Sequence, residues 1–304
     1  MEPSLKQLRY FEALARHGHF GHAAEACAIS QPALSMQIKE LEQTLGTVLF
    51  DRGARRVCLT RSGEELVLRV RDILRSVDEL GDFARAAGER PLARLRLGVI
   101  PTIAPYLLPR ILGELTHTYP GLDIHVRETL THTLIEELAD GRLDAAIVAL
   151  PVSEPGLTEV ALFSEPFVLV RPLEDEGRPV PDRETLQDMR LLLLEEGHCF
   201  RDQALSVCDL PSARPRELLD ASSLSTLVQM VGAGLGVTLI PAMAVPIETR
   251  SAAVSIASFQ PPQPTRSVGM IWRQTNPLAR SLHDVAAVVR GAAPEGDADR
   301  TAQP

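Results

Sequence analysis

Two cysteines, Cys199 and Cys208, lie in the run 194–208 (Leu-Glu-Glu-Gly-His-Cys-Phe-Arg-Asp-Gln-Ala-Leu-Ser-Val-Cys), and the chain holds only two others, Cys27 and Cys58. His198 and Arg201 flank the first of the pair. Paired thiols with polar neighbours can do redox chemistry: a thiolate attacks an oxidant, and a second thiol traps the resulting sulfenic acid. Spacing constrains that chemistry. On one continuous helix the two Cα atoms lie roughly 13 Å apart along the axis, whereas a disulfide needs about 4.4–6.8 Å. Either the segment is not helical, or oxidation must unwind it. No His/Cys grouping has the spacing of a zinc site, so no metal and no cofactor is expected.

The elements that position these thiols come from a chain of 304 residues, enough for two or three domains. A 45% hydrophobic share is ordinary for a globular protein. No apolar run approaches the ~18 residues of a membrane span, and the start Met-Glu-Pro-Ser-Leu-Lys is unlike a signal peptide. The expectation is a cytoplasmic protein without membrane partners, in a compartment where a disulfide is transient. A secreted solute-binding protein is set aside on the same ground. Net charge is −9, but residues 1–62 carry eight Lys/Arg against six acids, +2, which leaves −11 on the rest. A modest basic surface therefore sits at the N-terminal end.

That end reads as helices joined by short turns. Ser4 can cap a helix with Leu5, Leu8 and Phe11 on one face, ended by Gly18. Phe20, Ala23, Ala24 and Cys27 give a small-residue stripe on a second, where Cys27 reads as a packing residue. Ser30, with Pro32 in the first turn, caps a third helix whose Leu34, Ile38, Leu41 and Leu45 face inward and which Gly46 closes. This is a helix-turn-helix pattern. The third helix points Gln31, Pro32, Ser35, Met36 and Lys39 outward. Gln and Ser suit base edges, Met36 a thymine methyl, and Lys39 a phosphate. Alone, these residues read as readily as a solvated face. The run 49–60 then forms a turn-rich hairpin carrying Arg52, Arg55 and Arg56, a basic wing suited to phosphate and the minor groove.

The run Phe20–Gly46, with Leu-Phe-Asp-Arg at 49–52 and Leu-Thr-Arg-Ser-Gly at 59–63, closely resembles the winged helix of LysR-type transcriptional regulators. The resemblance implies binding to dyad-related half-sites of double-stranded promoter DNA, with RNA polymerase as a further partner. Ser62-Gly-Glu-Glu65 reads as a capping box. Behind it Leu66, Val70, Ile73, Val77, Leu80 and Ala84 alternate four and three residues apart, the seam of a short coiled coil. The seam is read as a dimerisation helix, with packing on its own domain as the alternative. Gly88-Glu-Arg-Pro91 reads as a hinge.

Beyond it, strand-like runs at 95–100, 122–126, 145–150, 166–170, 191–194, 236–240 and 268–272 alternate with helical runs at 106–119, 134–138, 224–231 and 278–289. That alternation argues a mostly parallel α/β sheet. The expected organisation is a winged helix-turn-helix DNA-binding domain at 1–61, a linker helix and hinge at 62–91, a redox-sensing regulatory domain at 92–293 and a disordered tail at 294–304. The fold class is α/β. The family resemblance implies that the regulatory domain is periplasmic-binding-protein-like: two α/β subdomains, a sensing cleft between them, and a last helix returning to the first.

Ligands in open α/β sheets bind beyond the carboxyl ends of strands. Thr102, then Thr131 with His132, then His198 with Cys199 follow three such ends. They offer hydroxyl, imidazole and thiol groups, and no large apolar pocket is evident. The runs Gly98–Pro109, Gly197–Ala204 with Cys208, and Val231–Ala242 resemble the hydrogen-peroxide sensors of the LysR-type family. This implies Cys199 as the peroxidatic thiol, Cys208 as the resolving thiol, Thr102 and Thr131 as holders of peroxide and a water, and a homotetramer built as a dimer of dimers. It further implies an activator or repressor of oxidative-stress genes that is not an enzyme. From the residues themselves, His198 and Arg201 offer positive charge or hydrogen bonds, and Arg266 approaches the site. Asp202 opposes thiolate formation unless it pairs with Arg201. Oxidation would select a second quaternary state and so respace the paired winged helices. Two rivals stand: a LysR-type regulator sensing a small organic metabolite in the same cleft, and a thiol peroxidase, against which the winged helix argues.

Overall fold

The structure, a computed structural model, describes residues 2–51, 57–86, 92–181, 185–186, 189–207 and 220–293. The chain divides into two compact units, Met1–Ala84 and Arg85–Pro304.

The first unit holds α1 (Leu5–His17), α2 (Phe20–Ala26), α3 (Gln31–Leu45), the antiparallel pair β1 (Phe50–Asp51) and β2 (Cys58–Leu59), and α4 (Arg61–Ala86). Local chemistry sets the boundaries. Ser4 and Gln7 form a reciprocal capping box, and the Ser30 hydroxyl accepts from the Ala33 N–H. Gly18 and Gly46 close α1 and α3 in the left-handed conformation. Leu8, Phe11, Ala23, Ala24, Leu34, Ile38 and Leu41 fill the core. Leu5 and Leu45, expected on the inward stripes, stay exposed at the outer ends of their helices. The wing's arginines, Arg52, Arg55 and Arg56, lie outside the described residues.

The start of α4 differs from the expected box at Ser62. Thr60 is the cap: its hydroxyl accepts from the Gly63 N–H at 3.1 Å and donates to the Val48 carbonyl at 2.8 Å. One side chain thus ties the helix start to the chain entering the wing. Val67 and Val70 are buried in the winged-helix core, with Leu66 and Leu74 against it. Farther along, Ile73 and Leu80 stand 46% and 68% exposed. The first turns of the seam pack on their own module, while Ile73 and Leu80 beyond them face outward.

The second unit runs β3 (Arg94–Val99), α5 (Ala104–Thr118), β4 (Asp123–Glu128), α6 (Thr131–Ala139), β5 (Ala145–Leu150), β6 (Leu157–Pro172), β7 (Leu193–Leu194), α7 (Cys199–Val207), β8 (Asp220–Ala221), α8 (Leu224–Gly232), β9 (Thr238–Pro241), α9 (Val245–Glu248), β10 (Val254–Ser258), β11 (Thr265–Arg273) and α10 (Ala279–Gly291). The sheet order is β10-β6-β11-β5-β3-β4, with β9 also on β6. It is not mostly parallel. In this sheet β3 pairs in parallel with β4 and β5, while β5–β11, β11–β6, β6–β10 and β6–β9 are antiparallel; β7 and β8 form a separate parallel pair. The reason is the length of β6: its first part pairs with β11, and its second with β9 and β10, so one strand serves two subdomains.

Each subdomain has its own core. Leu95, Leu97, Val99, Leu107, Ile111, Ile147 and Met270 form the first, closed by Leu282, Val285 and Val289 of α10, the helix expected to return there. Phe167, Leu169, Leu192, Leu194, Phe200, Leu227 and Leu239 form the second. Tyr106 of α5 crosses into that second core, and its hydroxyl donates to Glu248 Oε1 at 2.6 Å. Among the described residues, no helix is long and apolar enough to cross a membrane.

Candidate functional site

Cys199 is the first residue of α7, so the segment after it is helical through Val207. Gly197 makes the entry possible. Its φ is +95°, and a Cβ there would stand 3.2 Å from Leu130 Cδ1, so a residue other than glycine would be strained. The Arg201 N–H donates to the His198 carbonyl at 2.9 Å, the first bond of the helix. Cys199 is half-buried at that end, where the helix dipole favours negative charge. The next residue is an anchor. Phe200 is buried, edge-on to Phe167 at 5.4 Å, with the Arg266 guanidinium 5.7 Å from its ring centre.

Beside Cys199 is a cavity of about 10 Å³ lined by the 100–102, 130–131 and 197–200 segments. That is room for about one water-sized molecule. Thr102 lines it. Its Oγ1 accepts from Arg266 Nη1 at 3.0 Å and its carbonyl from Nη2 at 2.9 Å, which leaves the hydroxyl proton of Thr102 to donate elsewhere. Arg266 is in turn fixed by Glu165, Nε to Oε2 at 2.9 Å, with both side chains buried. The other carboxylate oxygen of Glu165 accepts the Met243 N–H at 3.0 Å. Thr131 also lines the cavity, and its buried Oγ1 has no hydrogen-bond partner among the described residues. It does not cap α6: Leu130 occupies the cap position and Thr131 is already helical.

The flanking groups are arranged differently from expectation. Burial pushes the His198 imidazole below its ordinary pKa, with Glu195 acting the other way, so the ring favours the neutral form and is a poor source of positive charge. Arg201 turns away, donating to the Leu194 carbonyl at 2.7 Å and to Asp220 Oδ1 at 2.8 Å. It straps the start of α7 to β7 and β8. Asp202 is exposed and is not its partner. The cation behind the cavity's Thr102 is Arg266, and its anchor Glu165 was invisible in the sequence. The two are 101 positions apart on β11 and β6, and no local motif marks a carboxylate in the middle of a long strand.

Cys208 lies outside the described residues. Cys27 is half-buried against the winged-helix core, with its thiol pKa pushed up chiefly by that burial, which suits a packing role. Cys58 is exposed on β2. On α3, Gln31, Pro32, Met36 and Lys39 are exposed and Ser35 is half-buried, all on the outward face. Among the described residues, no His/Cys/Asp/Glu group could hold a metal ion.

Residues 5–64 match the bacterial regulatory helix-turn-helix protein of the lysR family, and residues 88–294 match the LysR substrate binding domain. A probable hydrogen peroxide-inducible genes activator of Streptomyces viridosporus is 45% identical over 295 residues, covering 96% of this chain and 95% of that protein. The DNA-binding transcriptional dual regulator OxyR of Escherichia coli K12 is 40% identical over 292 residues, with 94% and 95% covered. A full-length OxyR of Pseudomonas aeruginosa, with aspartate in place of a cysteine, aligns with a TM-score of 0.75 at 37% identity over 95% of both chains. A hydrogen-peroxide-bound cysteine-to-serine variant of Corynebacterium glutamicum OxyR aligns with a TM-score of 0.65 at 35% identity, over 96% of this chain and 93% of that one. With a profile match across both units and relatives that span nearly its full length, the chain belongs to the LysR family, in its OxyR group.

Proposed function

We propose that the protein is a hydrogen-peroxide-sensing transcription regulator that binds promoter DNA. The observation that carries the reading is the water-sized cavity at Cys199, with one threonine hydroxyl held by Arg266 and another buried without a partner among the described residues. Beside a half-buried thiol, a space of that scale favours the smallest oxidants, peroxide among them. Pockets for organic effectors run to about 300–1,000 Å³, so the metabolite-sensing alternative lacks room here.

In the first step the Cys199 thiolate attacks one peroxide oxygen. The S–O bond forms as the O–O bond breaks, and the leaving hydroxide takes a proton to become water. Thr102 and Thr131 orient the two oxygens, and Arg266 holds Thr102 with its hydroxyl proton free. In the second step the Cys208 sulfur attacks the sulfur of the Cys199 sulfenic acid. A disulfide forms and a second water leaves, so one peroxide oxidises two thiols. With nine residues of α7 rising about 1.5 Å each, the helix must unwind before the two sulfurs meet.

The same reading assigns Gln31, Pro32, Ser35, Met36 and Lys39 of α3, with Arg52, Arg55 and Arg56 of the wing, to DNA. It assigns the open stretch of α4, with Ile73, Val77 and Leu80, to dimerisation. The assembly is a homotetramer that contacts RNA polymerase, organised as a DNA-binding domain at 1–61, a linker at 62–91 and a sensing domain at 92–293. The test treats reduced full-length protein with one equivalent of peroxide and maps its disulfides by peptide mass. A Cys199–Cys208 bridge is expected, and its absence would end the switch proposal. DNA footprints of the two redox forms should differ in length; identical footprints would mean that oxidation is not transmitted to the winged helices.

A further inference from the structure

In the N-terminal unit, His19 carries a feature that the peroxide site does not use. Its Nδ1 accepts a hydrogen bond from the Gly21 N–H at 3.1 Å. A ring nitrogen that accepts cannot carry the proton, so the neutral imidazole holds its hydrogen on Nε2. The residue is exposed, and Nε2 has no hydrogen-bond partner among the described residues. The ring is also fixed in place. It lies against His22, with centres 4.7 Å apart and the ring planes tilted by 40°, and so close over Gly21 that a Cβ there would stand 3.0 Å from His19 Cε1 and 3.2 Å from Nδ1.

The same point in space is 3.9 Å from the Gln31 Oε1 atom, at the start of the outward face of α3. The preceding residue, Gly18, accepts through its carbonyl the Val57 N–H of the wing at 3.1 Å. A fixed donor therefore stands between the recognition helix and the base of the wing. In a helix-turn-helix, the first helix of the motif crosses the sugar–phosphate backbone. We infer that His19 is a further DNA-binding residue: its Nε2–H, set by the Gly21 hydrogen bond, donates as an uncharged group to a backbone phosphate oxygen.

This rests on the reading that the module binds DNA, and the test separates the two. Reduced full-length protein is titrated against two fluorescein-labelled duplexes of unrelated mixed sequence, at several salt concentrations. His19→Asn keeps a cap-forming side chain but removes the ring. It should weaken both duplexes equally, by about five-fold, the worth of one neutral hydrogen bond, with thermal melting unchanged. Because no counterion-releasing charge is lost, the slope of log K against log salt should not move. Removal of a cationic contact would lower that slope by about 0.9, and that result would overturn the neutral-donor assignment. Unchanged affinity would overturn the contact altogether. Gly21→Ala, which crowds the ring, should cause a similar loss alone and none in the His19→Asn background; equal losses in both backgrounds would show that the ring is not what it disturbs. If wild-type protein binds neither duplex, the DNA-binding reading itself fails.

Discussion

Replacing Thr131 with valine sets the stability of the sensing domain against its chemistry. The two side chains have the same shape, so the change removes a hydroxyl and little else. That hydroxyl is buried with no partner among the described residues, and such a group destabilises the folded state by about 1–3 kcal/mol relative to a paired one. A water entering the adjoining cavity would offset part of this penalty. The expected gain in folding free energy therefore lies between zero and about 1 kcal/mol, a rise of up to about 4 °C in Tm. The reaction with peroxide moves the other way. Loss of one hydrogen bond to the reacting oxygens, about 1 kcal/mol, slows Cys199 oxidation about five-fold. Calorimetry of the reduced chain reads the first quantity. Alkylation of the remaining thiol at timed points after peroxide addition, followed by intact mass, reads the second. A lower Tm with an unchanged rate would refute the reasoning, since the hydroxyl would then serve packing and not peroxide.

Arg266→Met strands the Glu165 carboxylate in the interior, and loss of one partner of a buried pair destabilises by about 3–5 kcal/mol. Adding Glu165→Gln should restore much of that in thermal melts without restoring the peroxide rate, because Thr102 stays unheld; joint recovery of both would contradict the assignment. Gly197→Ala forces an alanine into φ +95°, a strain of about 1–3 kcal/mol, and should lower both Tm and the rate of Cys199 oxidation, whereas an unchanged rate would show that the turn does not position the thiol. For His198, burial lowers the folded pKa below the unfolded value of about 6.5. Its contribution to stability is therefore present above that value and is lost as pH falls toward the folded pKa. Denaturant midpoints from about pH 7 to pH 5 should decline less in His198→Gln than in wild type; a steeper decline would reverse the sign argued for this residue.

Much of the molecule was legible in local chemistry. Ser4, Ser30, Gly18 and Gly46 act within a turn of where they stand in the chain, and the helices they bound follow. The segments carrying Thr102, Thr131, His198 and Cys199 were readable as strand ends, and the fold brings all three to one cavity. What could not be read is what depends on partners far away in sequence. The local candidate for Arg201 is Asp202 beside it, yet its carboxylate is Asp220, across the β7–β8 pair. The parallel sheet was inferred from alternation, a local signal. The antiparallel pairings arise because β6 continues through two subdomains, and the part that pairs with β11, with charged Glu159 and Glu165 among the apolar residues, has no clean period. Ser62 offers a matching box in the sequence, whereas the tie from Thr60 to Val48 that marks the true cap exists only once the wing has folded.

The proposed switch asks α7 to be firm in one state and expendable in the other, and its packing sets how firm. Phe200, Ala204 and Leu205 are buried in the second subdomain's core, while Asp202 and Ser206 face out. Withdrawing the phenylalanine and leucine alone forfeits about 3–6 kcal/mol of burial. On that scale the unwound form of the reduced protein is populated at about one part in a hundred to one in ten thousand. Cys208 then meets a sulfenic acid only in that minority, so the second step waits on the helix while the first does not. A small cavity serves such a delay. On the proposed reading, a space of that scale favours peroxide over bulky external thiols at Cys199, so the sulfenic acid stays available until the chain's own cysteine arrives. The same burial that slows the step then works for the reset: once the disulfide is reduced, Phe200 and Leu205 return to the core and draw α7 back with them.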